Sequence, residues 1–96
     1  MKALVVITDS EVMKEFERAF LSGSSRGFTI VPKVWGRGKA GLKTGDRVHP
    51  GGLGLLFTVV PDQDLEDATA FLKGVRDQAG AQDVTKIFST SVDEVV

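Results

Sequence analysis

The densest chemistry in this 96-residue chain lies in six consecutive residues, Gly36-Arg37-Gly38-Lys39-Ala40-Gly41. Glycines let backbone N–H groups approach an anion closely, and the Arg37 and Lys39 side chains add positive charge. The segment therefore has the composition of a phosphate or carboxylate cradle. It also spells G-x-G-x-x-G, but that pattern marks a dinucleotide only where a helix follows it in a βαβ unit, and no helical pattern follows Gly41. A solvated hairpin tip is the competing reading. The wider stretch Gly36–Leu53 holds six of the eleven glycines, four basic side chains, one acid (Asp46) and the single histidine, His49. A segment so long inside so small a domain is expected to act as a lid, a binding loop or a docking arm.

Other chemistry is sparse. A metal site needs several ligands, and the loop offers His49 and Asp46 alone, so a metal would require contributions from neighbouring copies. The absence of cysteine excludes disulfides, thiolate metal sites and a cysteine nucleophile. No serine–histidine–acid set is apparent. The chain has no asparagine, which an acylphosphatase-type anion loop requires beside its arginine. The pair Asp62 and Asp64 is explained by helix capping. The expectation is a protein that is not an enzyme, with no resident metal. At a net charge of −1, no global field draws it to nucleic acid or to a membrane surface.

The elements that must position the cradle follow from pattern. Apolar content of 42% suits one folded domain spanning residues 1–96. Lys2–Thr8 is a β-branched apolar run without alternation, the mark of a strand buried on both faces. This apolar run is too short for a signal peptide or a membrane span, so a cytoplasmic protein without membrane insertion is expected. Thr8-Asp9-Ser10-Glu11 has the form of a capping box with Thr8 at the N-cap. A helix follows, with Val12, Met13, Phe16, Ala19 and Phe20 on its apolar face.

Gly27–Trp35 is a second strand, with Phe28, Ile30 and Pro32 on one face and Thr29, Val31 and Lys33 on the other. Pro32 cannot donate a ladder hydrogen bond and assigns this strand to a sheet edge. Trp35, at the end of this edge strand beside the loop, is expected either to pack at the base of the loop, the favoured reading, or to form part of a pocket wall. Gly54–Val60 is a third strand. Asp62 or Asp64 opens a second helix, whose face is Leu65, Ala68, Phe71, Leu72 and Val75 and whose end is Gly80. Val84–Thr90 is the last strand.

The order β-α-β-β-α-β with right-handed crossovers gives an α+β, ferredoxin-like fold. Its four-stranded antiparallel sheet carries both helices on one face, with the long loop between strands 2 and 3. The bare sheet face, carrying several of Leu4, Val6, Leu55, Phe57 and Val59 or their alternates, is expected to be buried between subunits.

Two stretches resemble the PII-like signal-transduction proteins. Gly27-Phe28-Thr29 followed by Val34-Trp35-Gly36-Arg37-Gly38-Lys39 and Gly41 is similar to the family's G-x-T…K-G-x-G-R-Q-K-G. Lys86-Ile87-Phe88 followed by Ser91–Val95 is similar to its G-D-G-K-I-F…P-V-E-E-V. The pattern is that of a divergent member: Gly38 replaces the family's glutamine, Asp83-Val84-Thr85 replace the glycines before the lysine, and tyrosine is absent.

The resemblance implies a homotrimer with ligand clefts between subunits, taking an adenine nucleotide (ATP, ADP or AMP) as ligand rather than a resident cofactor. It places Thr29 by the adenine, the segment Gly36, Arg37, Gly38 and Lys39 along the nucleotide, and Lys86 at phosphate. It implies that the loop, through Lys43, Arg47 and His49, docks on a protein target such as a transporter or an enzyme. The alternatives are a trimeric protein of the metal-tolerance type, using His49 and Asp46, and a structural oligomer without ligand.

Overall fold

The computed structural model describes residues 1–24, 26–38, 41–43 and 52–96. The elements in chain order are β1 (Lys2–Asp9), α1 (Ser10–Gly23), β2 (Thr29–Val34), β3 (Gly36–Gly38), β4 (Gly41–Lys43), β5 (Leu53–Val60), α2 (Leu65–Gln78) and β6 (Lys86–Ser91), with a 3-10 turn at Asp62–Asp64 before α2. Four strands form one antiparallel sheet in the order β2-β5-β1-β6. This is the ferredoxin-like arrangement that the element order predicts.

Period-two alternation decides what each strand buries. Leu4, Val6 and Thr8 of β1, and Gly54, Leu56, Thr58 and Val60 of β5, face the helices and are buried. Met13, Phe16 and Phe20 of α1 and Ala68 and Leu72 of α2 close over them, at about 1.5–3 kcal/mol for each large side chain taken from water. Phe20 links the layers, with its ring 4.9 Å from that of Phe28 and 5.1 Å from that of Phe71. Phe28 and Ile30 pack against the same core, as their assigned face of β2 requires.

Pro32 is indeed on an edge strand. The β2–β5 register slips between Val31 and Val34, so the strand bulges where the proline removes a donor. α2 ends as its glycine predicts. Gly80 has φ 63°, its N–H bonds to the Asp77 carbonyl at 3.0 Å, and the Ala81 N–H bonds to the Arg76 carbonyl at 3.0 Å, the two bonds of a Schellman motif.

Four expectations need correction. First, Thr8 does not cap α1. Strand β1 continues to Asp9, which takes the N-cap position, and Thr8 stays in the sheet, fully buried. Its hydroxyl shares a 2.8 Å hydrogen bond with that of Thr85, while Glu11 pairs with Lys14 at 3.2 Å instead of reaching back. Second, neither acid caps α2 through its side chain. Asp64 has the N-cap position without a side-chain bond, and Asp62 pairs with the Met1 amine at 3.0 Å. That contact, by hydrogen bond and charge, holds the Asp62 carboxyl below its ordinary pKa.

Third, Gly36–Leu53 is not one continuous loop. β3 and β4 form a two-stranded antiparallel ribbon with Gly36 opposite Lys43, Arg37 opposite Leu42 and Gly38 opposite Gly41. Fourth, Leu4 and Val6 face the helices, not the bare side of the sheet. The bare side is built from their alternates Val5 and Ile7, together with Leu55, Phe57 and Val59, as residues that alternate with the core-facing set must be.

The open face has a defined layout. One row across the sheet runs Val31–Leu55–Ile7–Lys86 and the next runs Thr29–Phe57–Val5–Phe88. Phe57 is 39% exposed and Phe88 54% exposed at the middle and edge of this apolar band.

Candidate functional site

Of the residues expected at a ligand, Thr29 opens β2 and Lys86 opens β6. They are the ends of adjacent rows on the open face, at opposite edges of the sheet, and both are exposed. Three strand spacings of about 4.8 Å separate the two edges, roughly 14 Å. Gly36, Arg37 and Gly38 form β3, with the Arg37 side chain in solvent. Six residues of mostly extended chain lie between Thr29 and Gly36, which sets them roughly 20 Å apart along the strand direction. Lys39, Arg47 and His49, and with them Asp46, lie outside the described residues, and Lys43 contributes its backbone to β4 opposite Gly36.

Two contacts at the end of β1 tie these distant pieces to one frame. The Ser10 N–H bonds to the Gly52 carbonyl at 2.8 Å, anchoring the chain where it enters β5 beside the ribbon. The buried Thr8–Thr85 hydroxyl pair fixes the residue just before Lys86. A third contact, from the Thr58 hydroxyl to the Gly27 carbonyl, holds the approach to Thr29. These threonines were not singled out from sequence as site supports. The signal available was Thr8 and Thr58 standing in otherwise apolar strand patterns, and in Thr8 it was masked by the capping-box motif.

Local geometry at the cradle is tight. A side chain at Gly36 would stand 3.3 Å from Leu53 Cδ1, so the ribbon root lies close against the start of β5. Trp35, expected to pack at the loop base, is instead 70% exposed.

The described surface carries a groove of about 540 Å³ between α1 and β2, lined by residues including Ser10, Lys14, Arg18 and Pro32. Another, of about 700 Å³, lies over the start of α2 beside Asp62, Glu66 and Lys73. Neither is lined by Thr29, Gly36, Arg37 or Lys86. No group of three histidine, cysteine or carboxylate side chains suited to a metal occurs among the described residues. No helix among them is long and apolar enough to cross a membrane.

The family model for nitrogen regulatory protein P-II matches residues 1–96. The chain belongs to the P-II family. Proteins of this family are regulators in signal transduction that commonly form trimers and contact protein partners. Among solved structures, the chain is similar to a DUF3240 family protein from Shewanella baltica OS155, with a TM-score of 0.72 over 99% of this chain and 92% of that one. At 10% sequence identity that likeness establishes the shared fold alone. No curated protein matches the sequence. Within the P-II fold, the ribbon β3–β4 is the root of the segment between the second and third strands of the main sheet. The chain leaves β2 for Arg37 at the end of that sheet where β1 finishes and Lys86 opens β6, and β2 and β6 are its two opposite edges.

Proposed function

We propose that this P-II family member is a homotrimeric regulator that senses a small anionic ligand, an adenine nucleotide, in clefts between its subunits. Residues Gly36–Leu53 carry its contact with a protein partner. The observation that supports the reading best is the dispersal of the site over two edges of the sheet. With Thr29 roughly 14 Å across and roughly 20 Å along the sheet from its supposed co-ligands, one copy cannot surround one small molecule. An edge-to-edge assembly brings Lys86 of one subunit toward the β2 edge of the next. The apolar band of Val31, Leu55, Ile7, Phe57, Val5 and Phe88, with Val31, Phe57 and Phe88 exposed, supplies a surface for such assembly. Arg37, Lys39 and Lys86 would hold the phosphates by charge-assisted hydrogen bonds, and glycines at 36 and 38 would admit them close to the backbone. A ligand that orders the segment 36–53 would bias what the partner meets.

The test is thermal shift and calorimetry against ATP, ADP, AMP, cyclic nucleotides, bicarbonate and other carboxylates. A true ligand at a hundredfold over its Kd stabilises the trimer by about 2.7 kcal/mol. Arg37→Ala and Lys86→Ala are each expected to remove that shift for a phosphate-bearing ligand. Silence of the native protein across the panel would eliminate the nucleotide reading and favour a structural oligomer.

A further inference from the structure

Trp35 joins β2 to β3 and is 70% exposed, more than any phenylalanine of the chain. Tryptophan is highly buried on average, so an open indole beside a candidate site asks for an occupant. Its placement is fixed on both sides: Val34 pairs with Leu53 just before it, and Gly36 pairs with Lys43 just after. The ring–ring contacts among the described residues lie in the core, at Phe20–Phe28 and Phe20–Phe71, and do not involve Trp35. Lys33 and Arg37, two positions to either side, are exposed cations. The sequence holds no acid between Glu17 and Asp46 to offset them. An open aromatic face among cations, one residue from a glycine-rich anion cradle, suits a molecule that carries both a flat ring and negative charge.

We propose that Trp35 is the stacking wall of the ligand site, taking the planar ring of an aromatic anion while Arg37 and Lys33 meet its negative groups. The proposal rests on the reading of Gly36–Gly38 as a ligand contact and deepens it, by naming the side chain that meets the ring of the ligand. Every nucleobase has a π-face, so stacking on an indole selects for a ring without selecting one base.

Trp35 is the sole tryptophan and tyrosine is absent, so indole emission reports this residue alone. The experiment titrates the full chain with ATP and with inorganic tripolyphosphate, an anion without a ring, following Trp35 emission and calorimetric heat together. The ligand-free protein is expected to show the red-shifted emission of a wet indole. ATP is expected to quench it saturably and tripolyphosphate to leave it unchanged. Trp35→Ala is expected to weaken ATP by about tenfold or more, with Trp35→Phe retaining most of the affinity. Tripolyphosphate binding should be the same in all three proteins. An exposed side chain can be replaced without cost to the core, and unchanged thermal unfolding of both variants checks this.

ATP binding by calorimetry with constant Trp35 emission and equal affinity in Trp35→Ala would overturn the stacking role and leave the nucleotide reading standing. If ATP fails but flavin mononucleotide, a second planar anion, quenches Trp35, stacking stands and the adenine reading falls. Absence of quenching by either overturns the proposal. Blue-shifted emission in the ligand-free oligomer does so as well, because the ring is then packed against a neighbouring copy or held by the protein itself.

Discussion

Thr8 and Thr85 show how much a single pair of side chains can decide. Both are buried, and each hydroxyl has the other as its partner at 2.8 Å. Buried polar groups are cheap when paired and costly when orphaned. Thr85→Val leaves the Thr8 hydroxyl without its partner and is expected to destabilise the protein by about 1–3 kcal/mol. The double variant Thr8→Val/Thr85→Val removes both groups while keeping the shape and should recover most of that loss. Urea unfolding of these two proteins and of the single variant Thr8→Val measures the cycle, and simple additivity would show that the bond is not what matters. Amide hydrogen exchange at Lys86 and Ile87 gives a second readout. It should quicken in Thr85→Val if the pair positions the start of β6, and stay unchanged if it does not.

At the scale of elements, α1 approaches β5 closely because Gly54 has no side chain. A Cβ there would fall 2.8 Å from both Cβ and Cγ of Met13. Met13 Cβ is fixed to the helix backbone, so the clash is relieved only by moving α1 as a body. Gly54→Ala is therefore expected to cost about 1–3 kcal/mol of stability. The helix carries Ser10, whose N–H holds the Gly52 carbonyl, so the same substitution should disturb the ribbon root. Chemical denaturation checks the first expectation, and backbone amide shifts of residues 36–38 check the second. A Gly54→Ala protein as stable as the native one would mean that α1 can slide at little cost. The bulge at Pro32 belongs to this scale too, because the one-residue slip between Val31 and Val34 resets which way the following residues face before β3 begins.

For the molecule as a whole, the open sheet face and the opposed edges concern assembly. Phe57 lies in the row Thr29–Phe57–Val5–Phe88, inside the apolar band and on the side away from the helices. In a trimer that buries this band, Phe57→Lys places an unpaired charge in the interface. It is expected to shift sedimentation from trimer to monomer at micromolar concentration. Far-UV circular dichroism should be retained, since Phe57 is not part of the helix-side core. Loss of the trimer should abolish any ligand binding with it, because Thr29 and Lys86 of one copy are too far apart to share a small molecule. A native protein that sediments as a monomer would defeat the prediction before any substitution is made.

The chain's local patterns were enough for the four strands of the main sheet and the two helices, though not for the ribbon β3–β4. The stripes on α1 and α2 follow the helical period, Pro32 marks an edge strand because it lacks a donor, and Gly80 marks a helix end because it takes positive φ without strain. The glycine–basic segment and the flanking matches to the P-II pattern are local too, which is why the family was legible. Tertiary structure decided what depends on distant partners. Thr8 satisfies a capping motif within four residues, yet its hydroxyl goes to Thr85, 77 positions away, because β1 runs on and turns that side chain into the core. Leu4 and Val5 are both apolar, and only the strand register settles which one meets the helices. Trp35 follows an apolar strand and is expected to pack, but the ribbon that begins at Gly36 leaves it in solvent. A sequence specifies periodicity and permitted backbone angles over a few residues, whereas burial is fixed by whichever remote segment arrives on the other side.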